Sequence, residues 1–386
     1  MHNDLIQFNY EGLHPYHLKE KLRIGDKYDP VSTPSVSSGS KKYKRKIFGL
    51  TESRIGNFLL TIVAHESLNN IKQSNNLELY CHNGLHSDLV LKAKDQYNII
   101  LYKNKLIFSN TSRRLDDNPF FSYIGIKFET ILCKQLSPTD GSHNKLLLKG
   151  KYGRWNFKSV VEIDSFKSNN NNKTLETMSQ NERYNNYCEI KLCYSDAATP
   201  NVLKNLKTKH ELLMFLKKNV TSFSQKFRKW IFQSYFGRQN ILTVGIRNKN
   251  FKVVCNEEFD IEKDILPFAK SEYQEMYSKF INSIDTLDEK YQEIYDKVKA
   301  LQKNEKDVFI MDCTSLNVKL VETNEQNKFE NILIPEYLEW VNNKNDILLS
   351  NKNIDKKFYT KCKESSINNL AEDMTKMSVS DNSVSL

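Results

Sequence analysis

Two alternating triplets, Glu162-Ile163-Asp164 and Glu189-Ile190-Lys191, carry the residues of this chain best suited to chemistry. Each lies in sequence that reads as β-strand, where residues i and i+2 share a face, so each triplet turns its two charged groups one way and its isoleucine the other. If the two strands are neighbours, three carboxylates and one ammonium converge on a small volume. Carboxylates that close stay ionised only when a hard divalent cation neutralises them, and magnesium is the expected ion. Lys191 would then neutralise a phosphate oxygen as a phosphorus–oxygen bond breaks. The plainer alternative is a polar stripe on the solvated face of half-exposed strands. Val160-Val161 ahead of the first triplet, and Tyr187-Cys188 and Leu192-Cys193 around the second, favour buried strands. Buried carboxylates need partners.

The elements that must position these groups follow from periodicity. Ile55, Phe58, Leu59 and Ile62 recur at helical spacing between Thr51 and Ala64, with Thr51 as cap and Glu52 in the first turn. Strands are expected at Leu77 to Tyr80, Leu89 to Leu91, Tyr97 to Tyr102 and Leu106 to Phe108. Asn118-Pro119 opens a second helix, whose stripe of Phe121, Ile124, Phe128, Ile131 and Leu132 leaves Glu129 at the edge of the buried face. Ser168-Asn169-Asn170-Asn171-Asn172 between the triplets reads as a projecting loop. Helix resumes at Glu211, breaks near Asn219 to Ser222, and continues to Phe236, with Lys226, Lys229 and Gln233 in a row that either faces solvent or touches a substrate backbone. Gly237 is expected to end that helix, and Ile241 to Ile246 to form a buried strand. Phe268 to Gln302 reads as one long amphipathic helix with a core stripe from Met276 to Val298.

The chain has 386 residues and a formal charge of +10. Residues 256 to 307 carry 14 acidic and 8 basic side chains, a local net of −6, so the remainder is strongly basic. A basic body around an acidic centre suits a polyanionic substrate. Lys41-Lys42-Tyr43-Lys44-Arg45-Lys46 fits a nucleic-acid contact, a nuclear import signal or a solvated loop. No apolar run is long enough for a membrane span, and no secretory signal pattern is present. The seven cysteines lack Cys-x-x-Cys spacing and fit free thiols in a reducing compartment. His82 and His86 stand four apart without a Cys or Glu partner and read as surface histidines rather than a zinc site.

An acidic residue followed by a second strand with Glu-x-Lys resembles the PD-(D/E)XK nuclease superfamily, although its proline-aspartate pair is absent. Four separated pieces together resemble the DXO family of eukaryotic RNA 5′-end decapping nucleases. Gly125-Ile126-Lys127-Phe128-Glu129 looks like the family's glycine-x-x-x-glutamate motif, Glu162-Ile163-Asp164 its Glu-x-Asp motif, and Glu189-Ile190-Lys191 its Glu-x-Lys motif. Lys229-Trp230-Ile231-Phe232-Gln233, with the strand ending Gly245-Ile246-Arg247, is similar to its lysine/glutamine helix and glycine strand. The likeness covers roughly residues 50 to 260 and extends to about 340.

The resemblance implies a metal-dependent hydrolase that removes incomplete or aberrant caps and degrades RNA 5′ to 3′. It implies that Glu129, Glu162, Asp164, Glu189 and the Ile190 carbonyl hold the divalent cations, two Mg²⁺ with Mn²⁺ as substitute. Lys191 and Gln233 would hold the scissile phosphate, with Glu52 near the RNA end. The family's first motif has an arginine ahead of a glycine; in Cys81-His82-Asn83-Gly84-Leu85, Asn83 stands in its place. An asparagine cannot neutralise a phosphate, so weak or absent pyrophosphohydrolase activity on triphosphate ends is expected. The expected fold is α/β, with mixed β-sheets flanked by helices, a PD-(D/E)XK-like core, and the site in a cleft between sheets. Residues 1–50, reading as irregular over the first 40, would form an arm packed on one domain spanning 51–340, with a polar tail over 341–386. The expected partners are capped and 5′-monophosphate RNA, met by a cytoplasmic monomer without a stable exonuclease partner; a nuclear location stays open. Two other functions fit the residues: a non-catalytic RNA-end binder supporting an exonuclease, and a DNA-acting nuclease of the same superfamily.

Overall fold

The computed structural model describes residues 4–7, 76–111, 144–167, 179–321 and 328–342, with scattered helical positions between 55 and 66 and between 124 and 132. Strand runs rich in Leu, Ile, Val and Tyr build two sheets. The larger has the order β1-β5-β6-β2-β4-β3-β11-β12: Asp4–Gln7, Asn144–Tyr152, Trp155–Ile163, Glu78–His82, Lys105–Asn110, Gln96–Tyr102, Phe309–Asp312 and Asn317–Leu320. Its centre is parallel, with β2 flanked by β6 and β4, and the remaining pairs are antiparallel. The smaller has the order β10-β9-β8-β7: Val253–Asp260, Ile241–Arg247, Tyr187–Tyr194 and Ser165–Phe166. Here β8 and β9 run parallel, so both present their C-terminal ends on one side. This is the mixed α/β fold that the sequence pattern implies.

Ten described α-helices flank the sheets, with a π-helical turn Ile261–Ile265 leading into the sixth: α1 Gly84–Leu91, α2 Gln180–Asn186, α3 Pro200–Lys204, α4 Lys209–Asn219, α5 Phe223–Gly237, α6 Leu266–Glu272, α7 Gln274–Ile281, α8 Ser283–Leu301, α9 Lys328–Ile332 and α10 Pro335–Asn342. Thr208 and Ser179 cap α4 and α2, each in a reciprocal pair with the glutamate three residues on. The main core joins α1, α5 and α8 to the facing sides of both sheets. A second core lies on the other face of the large sheet, under the 55–66 helix and α9–α10. A third lies under the 124–132 helix, where Ile124, Phe128 and Leu132 meet Cys188, Ile190 and Val253. Among the described residues no helix is long and apolar enough to cross a membrane, and the five described cysteines are buried free thiols.

Three local expectations fail for identifiable reasons. Leu89 to Leu91 is the last turn of α1 rather than a strand, since a short apolar run fits a buried helix as well as a buried strand. The expected single helix over 268–302 is three helices, broken where Tyr273 and Asn282 leave helical dihedrals. Tyr273 there packs its ring on Phe227 and Phe268. Asp4–Gln7 is a strand paired with β5 rather than irregular chain. Helix α5 ends at Gly237 as expected, with Arg238 closing it at φ 55°. Its glycine answers a close approach: a Cβ would sit 2.9 Å from Val161 Cγ2. The arm's remaining residues, Lys41 to Lys46, the Asn-rich loop and the tail beyond residue 342 lie outside the described residues.

Inside the second core, Lys158 donates to Glu66 at 2.5 Å, to Glu78 at 3.1 Å and to the Tyr80 hydroxyl at 3.0 Å. Lys105 pairs with Glu78 at 3.0 Å. Burial alone would raise the Glu78 carboxyl, but Lys158 and Lys105 outweigh it and hold it below its ordinary value. Each charge is thus matched. Removing either partner would strand the other, the costly case for buried ions.

His86 is fully buried, which overturns its reading as a surface histidine. Its Nδ1 lies 2.7 Å from the Tyr291 hydroxyl, and the rings of Tyr152, Phe157 and Phe236 surround it. Burial pushes its pKa down to about 3, against about 6.5 in an unfolded chain. Between those values the unfolded state binds the extra proton, so stability falls as pH falls through that window. The limiting slope is about 1.4 kcal/mol per pH unit. His86→Phe keeps the box filled and removes this proton. Urea unfolding from pH 7 to 5 should show wild type losing stability more steeply than the variant; equal slopes would contradict the assignment.

A Cβ at Gly245 would fall 2.2 Å from Phe128 Cζ, so the ring lies directly on the bare backbone of β9. Gly245→Ala should therefore cost about 1–3 kcal/mol by overpacking, read as a lower Tm. Phe128→Leu in the same chain should return part of the loss.

Candidate active site

The site forms where one strand belongs to two sheets. β6 ends at Ile163 in the large sheet and β7 begins at Ser165 in the small one, so Asp164 is the single residue between them. Glu162 sits exposed at the end of β6, opposite Lys145 of β5. Because β7 is two residues long, its pairing with β8 stops at Ser165 opposite Cys188. Past that point a side chain replaces the strand: Asp164 Oδ2 accepts from the Ile190 N–H at 2.8 Å. Alternation along β8 then directs Glu189 and Lys191 to one face. The Lys191 ammonium bonds Glu189 Oε1.

The electrostatics identify what has been brought together. Burial, then Glu189, Glu129 and Glu162, push the Asp164 carboxyl well above its ordinary range, with Lys191 opposing them. Burial pulls Lys191 down, but Glu189, Asp164 and Glu129 outweigh it and hold the ammonium above its usual value. Four carboxylates and one ammonium thus share one field, as the triplets and the glycine-x-x-x-glutamate motif suggest. Phe128, seated on Gly245, fixes the turn that carries Glu129.

The donor set suits a hard divalent cation. It offers carboxylate oxygens with no thiol or imidazole, and Asp164 shows acids gathered more densely than Lys191 alone neutralises. Among the described residues no three His, Cys, Asp or Glu side chains close into a ready-made metal cage. Lys191 and the Ile190 N–H engage Glu189 and Asp164 instead. The Ile190 backbone lies beside Asp164, where its carbonyl would have to act.

Gln233 lies half-buried on α5, with Lys229 half-buried and Lys226 exposed along the same row. Asn83, just past β2, is 6% exposed, and its Nδ2 donates to the Gln233 carbonyl at 3.3 Å. Asn83 and Gln233 are therefore joined through backbone. Glu52 lies outside the described residues. Sequence reasoning missed Gln239, which is 2% exposed and donates from Nε2 to the Glu162 carbonyl at 2.6 Å. Its place after a helix stop marks it as turn. Lys167, paired with the buried Glu258 at 2.7 Å beside β7, was equally silent because the contact spans 91 residues.

No protein-family model matches the chain, and no curated protein sequence does either. Solved structures do. Candida albicans Rai1, crystallised in complex with pU5-Mn²⁺, is 16% identical with a TM-score of 0.56, over 82% of this chain and 89% of that one. Scheffersomyces stipitis Rai1, in complex with (3′-NADP)⁺ and calcium ion, is 14% identical with a TM-score of 0.60, over 86% and 89%. S. pombe Rai1 is 13% identical with a TM-score of 0.51, over 83% of this chain and 100% of its own. Likeness at this identity speaks for architecture: the chain has the fold of the Rai1 structures, the fold that its resemblance to the DXO decapping nucleases implies.

Proposed function

We propose that this protein is a divalent-cation-dependent hydrolase of RNA 5′ ends, which removes incomplete or aberrant caps and degrades the exposed RNA 5′ to 3′. The observation that carries the reading is the charge cluster at the sheet crossing, where Asp164 feels Glu189, Glu129, Glu162 and Lys191 at once. A binding module has no need of so many converging acids. The fold shared with Rai1, and the pU5-Mn²⁺ complex of the Candida albicans protein, support RNA and a divalent ion as ligands. The chain would act as a monomer.

Glu129, Glu162, Asp164, Glu189 and the Ile190 carbonyl would hold Mg²⁺ or Mn²⁺, two ions in the full reading. Bound there, the metal supplies Lewis acidity at the phosphate and lowers the pKa of water. The chain's own groups do the rest. Glu189 and Asp164 would exchange their present partners for the ion, freeing the Lys191 ammonium to neutralise charge growing on a phosphate oxygen. Gln233 would hold the scissile phosphate by its amide, with Lys229 and Lys226 behind it along the RNA backbone. Glu52 would stand near the RNA end.

Glu162→Ala with Asp164→Ala should reduce cap removal and RNA degradation by more than the roughly 10–100-fold that loss of a merely supporting contact costs, while the protein stays folded. Assays on RNA and DNA with Mg²⁺ and with EDTA separate the alternatives. DNA cleavage without RNA cleavage would point to a DNA nuclease, and RNA binding without turnover to an end binder. Lys191→Ala should lower kcat yet keep cation binding by calorimetry; lost cation binding with normal turnover would reverse that assignment.

Asn83 brings no charge to the 5′ end, whereas a triphosphate adds several negative charges to a site already rich in carboxylates. The protein should therefore act on capped and 5′-monophosphate RNA and release little pyrophosphate from 5′-triphosphate RNA. The three forms of one RNA, assayed side by side, test this. Robust pyrophosphate release would show that another cation serves the end.

A further inference from the structure

The proposed ligands and phosphate contacts come from different elements, Glu162 from β6 and Gln233 from α5. They need a common frame. The last turn of α5 meets β2 and β6 around Gly237, where an added Cβ would lie 2.9 Å from Val161 Cγ2, 3.3 Å from Asn83 Nδ2 and 3.5 Å from Gln239 Nε2. Two carboxamides thus flank one bare backbone position. Asn83 ties α5 to β2 and β6: its Nδ2 donates to the Gln233 carbonyl at 3.3 Å and its backbone N–H to the Val160 carbonyl at 3.0 Å. Gln239 ties the end of α5 to β6: its N–H donates to the Ser234 carbonyl at 2.9 Å and its Nε2 to the Glu162 carbonyl at 2.6 Å.

Both side chains are more than nine-tenths buried, and Asn83 Oδ1 and Gln239 Oε1 have no hydrogen-bond partner among the described residues. Burying an amide with half its capacity unused costs stability, and an apolar side chain of similar size would avoid that cost. The donated bonds are what these residues supply. Both go to backbone carbonyls of the residues that the proposed reaction needs, Gln233 and Glu162.

We propose that Asn83 and Gln239 form a carboxamide clamp, a pair of positioning residues that lock the Gln233 turn of α5 to the Glu162 end of β6. The clamp rests on the reading of Glu162 as a cation ligand and Gln233 as a phosphate contact. Gln239 acts through Glu162, so its loss displaces a ligand. Asn83 acts through Gln233, so its loss displaces a phosphate contact. The two ends of one clamp therefore have different signatures.

The test is calorimetric Mn²⁺ binding, with kcat and KM on 5′-monophosphate RNA and Tm, on single variants of the full chain. Gln239→Leu should weaken Mn²⁺ binding about tenfold, the lower end of what a residue supporting a metal ligand contributes. Asn83→Leu should leave Mn²⁺ binding near wild type and lower kcat/KM about tenfold. The control is Gln302→Leu, which breaks a comparable bond from Gln302 Nε2 to the Leu101 carbonyl on β3, outside the site. It should lower Tm and leave both functional readouts unchanged. Should Gln239→Leu not fold, Gln239→Met, which keeps the side-chain length and removes the Nε2 donor, should likewise weaken Mn²⁺ binding. Wild-type Mn²⁺ affinity in Gln239→Leu, or losses that track Tm as in Gln302→Leu, would overturn the clamp. Glu162→Gln separates the two readings. If it weakens Mn²⁺ binding and Gln239→Leu does not, the clamp alone fails; if it has no effect, the ligand assignment fails and the clamp with it.

Discussion

Like charges repel, and this fold sets Asp164 in the field of Glu189, Glu129 and Glu162 with a single ammonium, Lys191, opposing them. Nothing in the local sequence preference of strands or helices would gather such groups. The surrounding structure has to impose the arrangement, from elements that are stable for other reasons. Three cores provide that support. The sheet crossing at Asp164 supplies two acids, β8 supplies the third together with Lys191, and the 124–132 helix delivers the fourth through the seat of Phe128 on Gly245.

The molecule handles its buried charges in two contrasting ways. At Lys158, Glu66, Glu78 and Lys105 the signs balance, distances run from 2.5 to 3.1 Å, and the group does no more than join β6, β2 and β4 to the helix above. Around Asp164 the acids outnumber the base. A balanced cluster is a structural fastening, whereas an imbalanced one retains a preference for an added positive charge. The two clusters lie on the same strand, β6, only a few residues apart.

Much of the site was legible because strand alternation is local. Glu162, Asp164, Glu189 and Lys191 could be paired off on faces from spacing alone, and the break between α4 and α5 falls near Asn219 to Ser222 as expected. What spacing cannot carry is the identity of a neighbour far along the chain. Phe128 against Gly245, Asn83 against Gln233 and Gln239 against Glu162 each join separate elements, so the close contacts made at Gly237 and Gly245 could not be read from spacing. His86 misled for the same reason: on its own helix it looks incidental, and only Tyr291, Tyr152 and Phe236 from distant segments make it a core residue. The tripartite region over 266–301 kept its apolar stripe through two breaks, which is why periodicity alone saw one helix.

The crossing of β6 into β7 has a mechanical consequence. A strand shared by two sheets works as a hinge pin, and here the pin is one residue long and ionisable. Any change in the angle between the sheets alters the spacing of Glu162 from Glu189 before it alters either sheet internally. Conversely, whatever binds across those acids fixes the inter-sheet angle and makes two sheets respond to strain as one body. Asp164 thereby links the acids at the end of the large sheet to those of the small one through one residue of backbone and one bond to the Ile190 N–H.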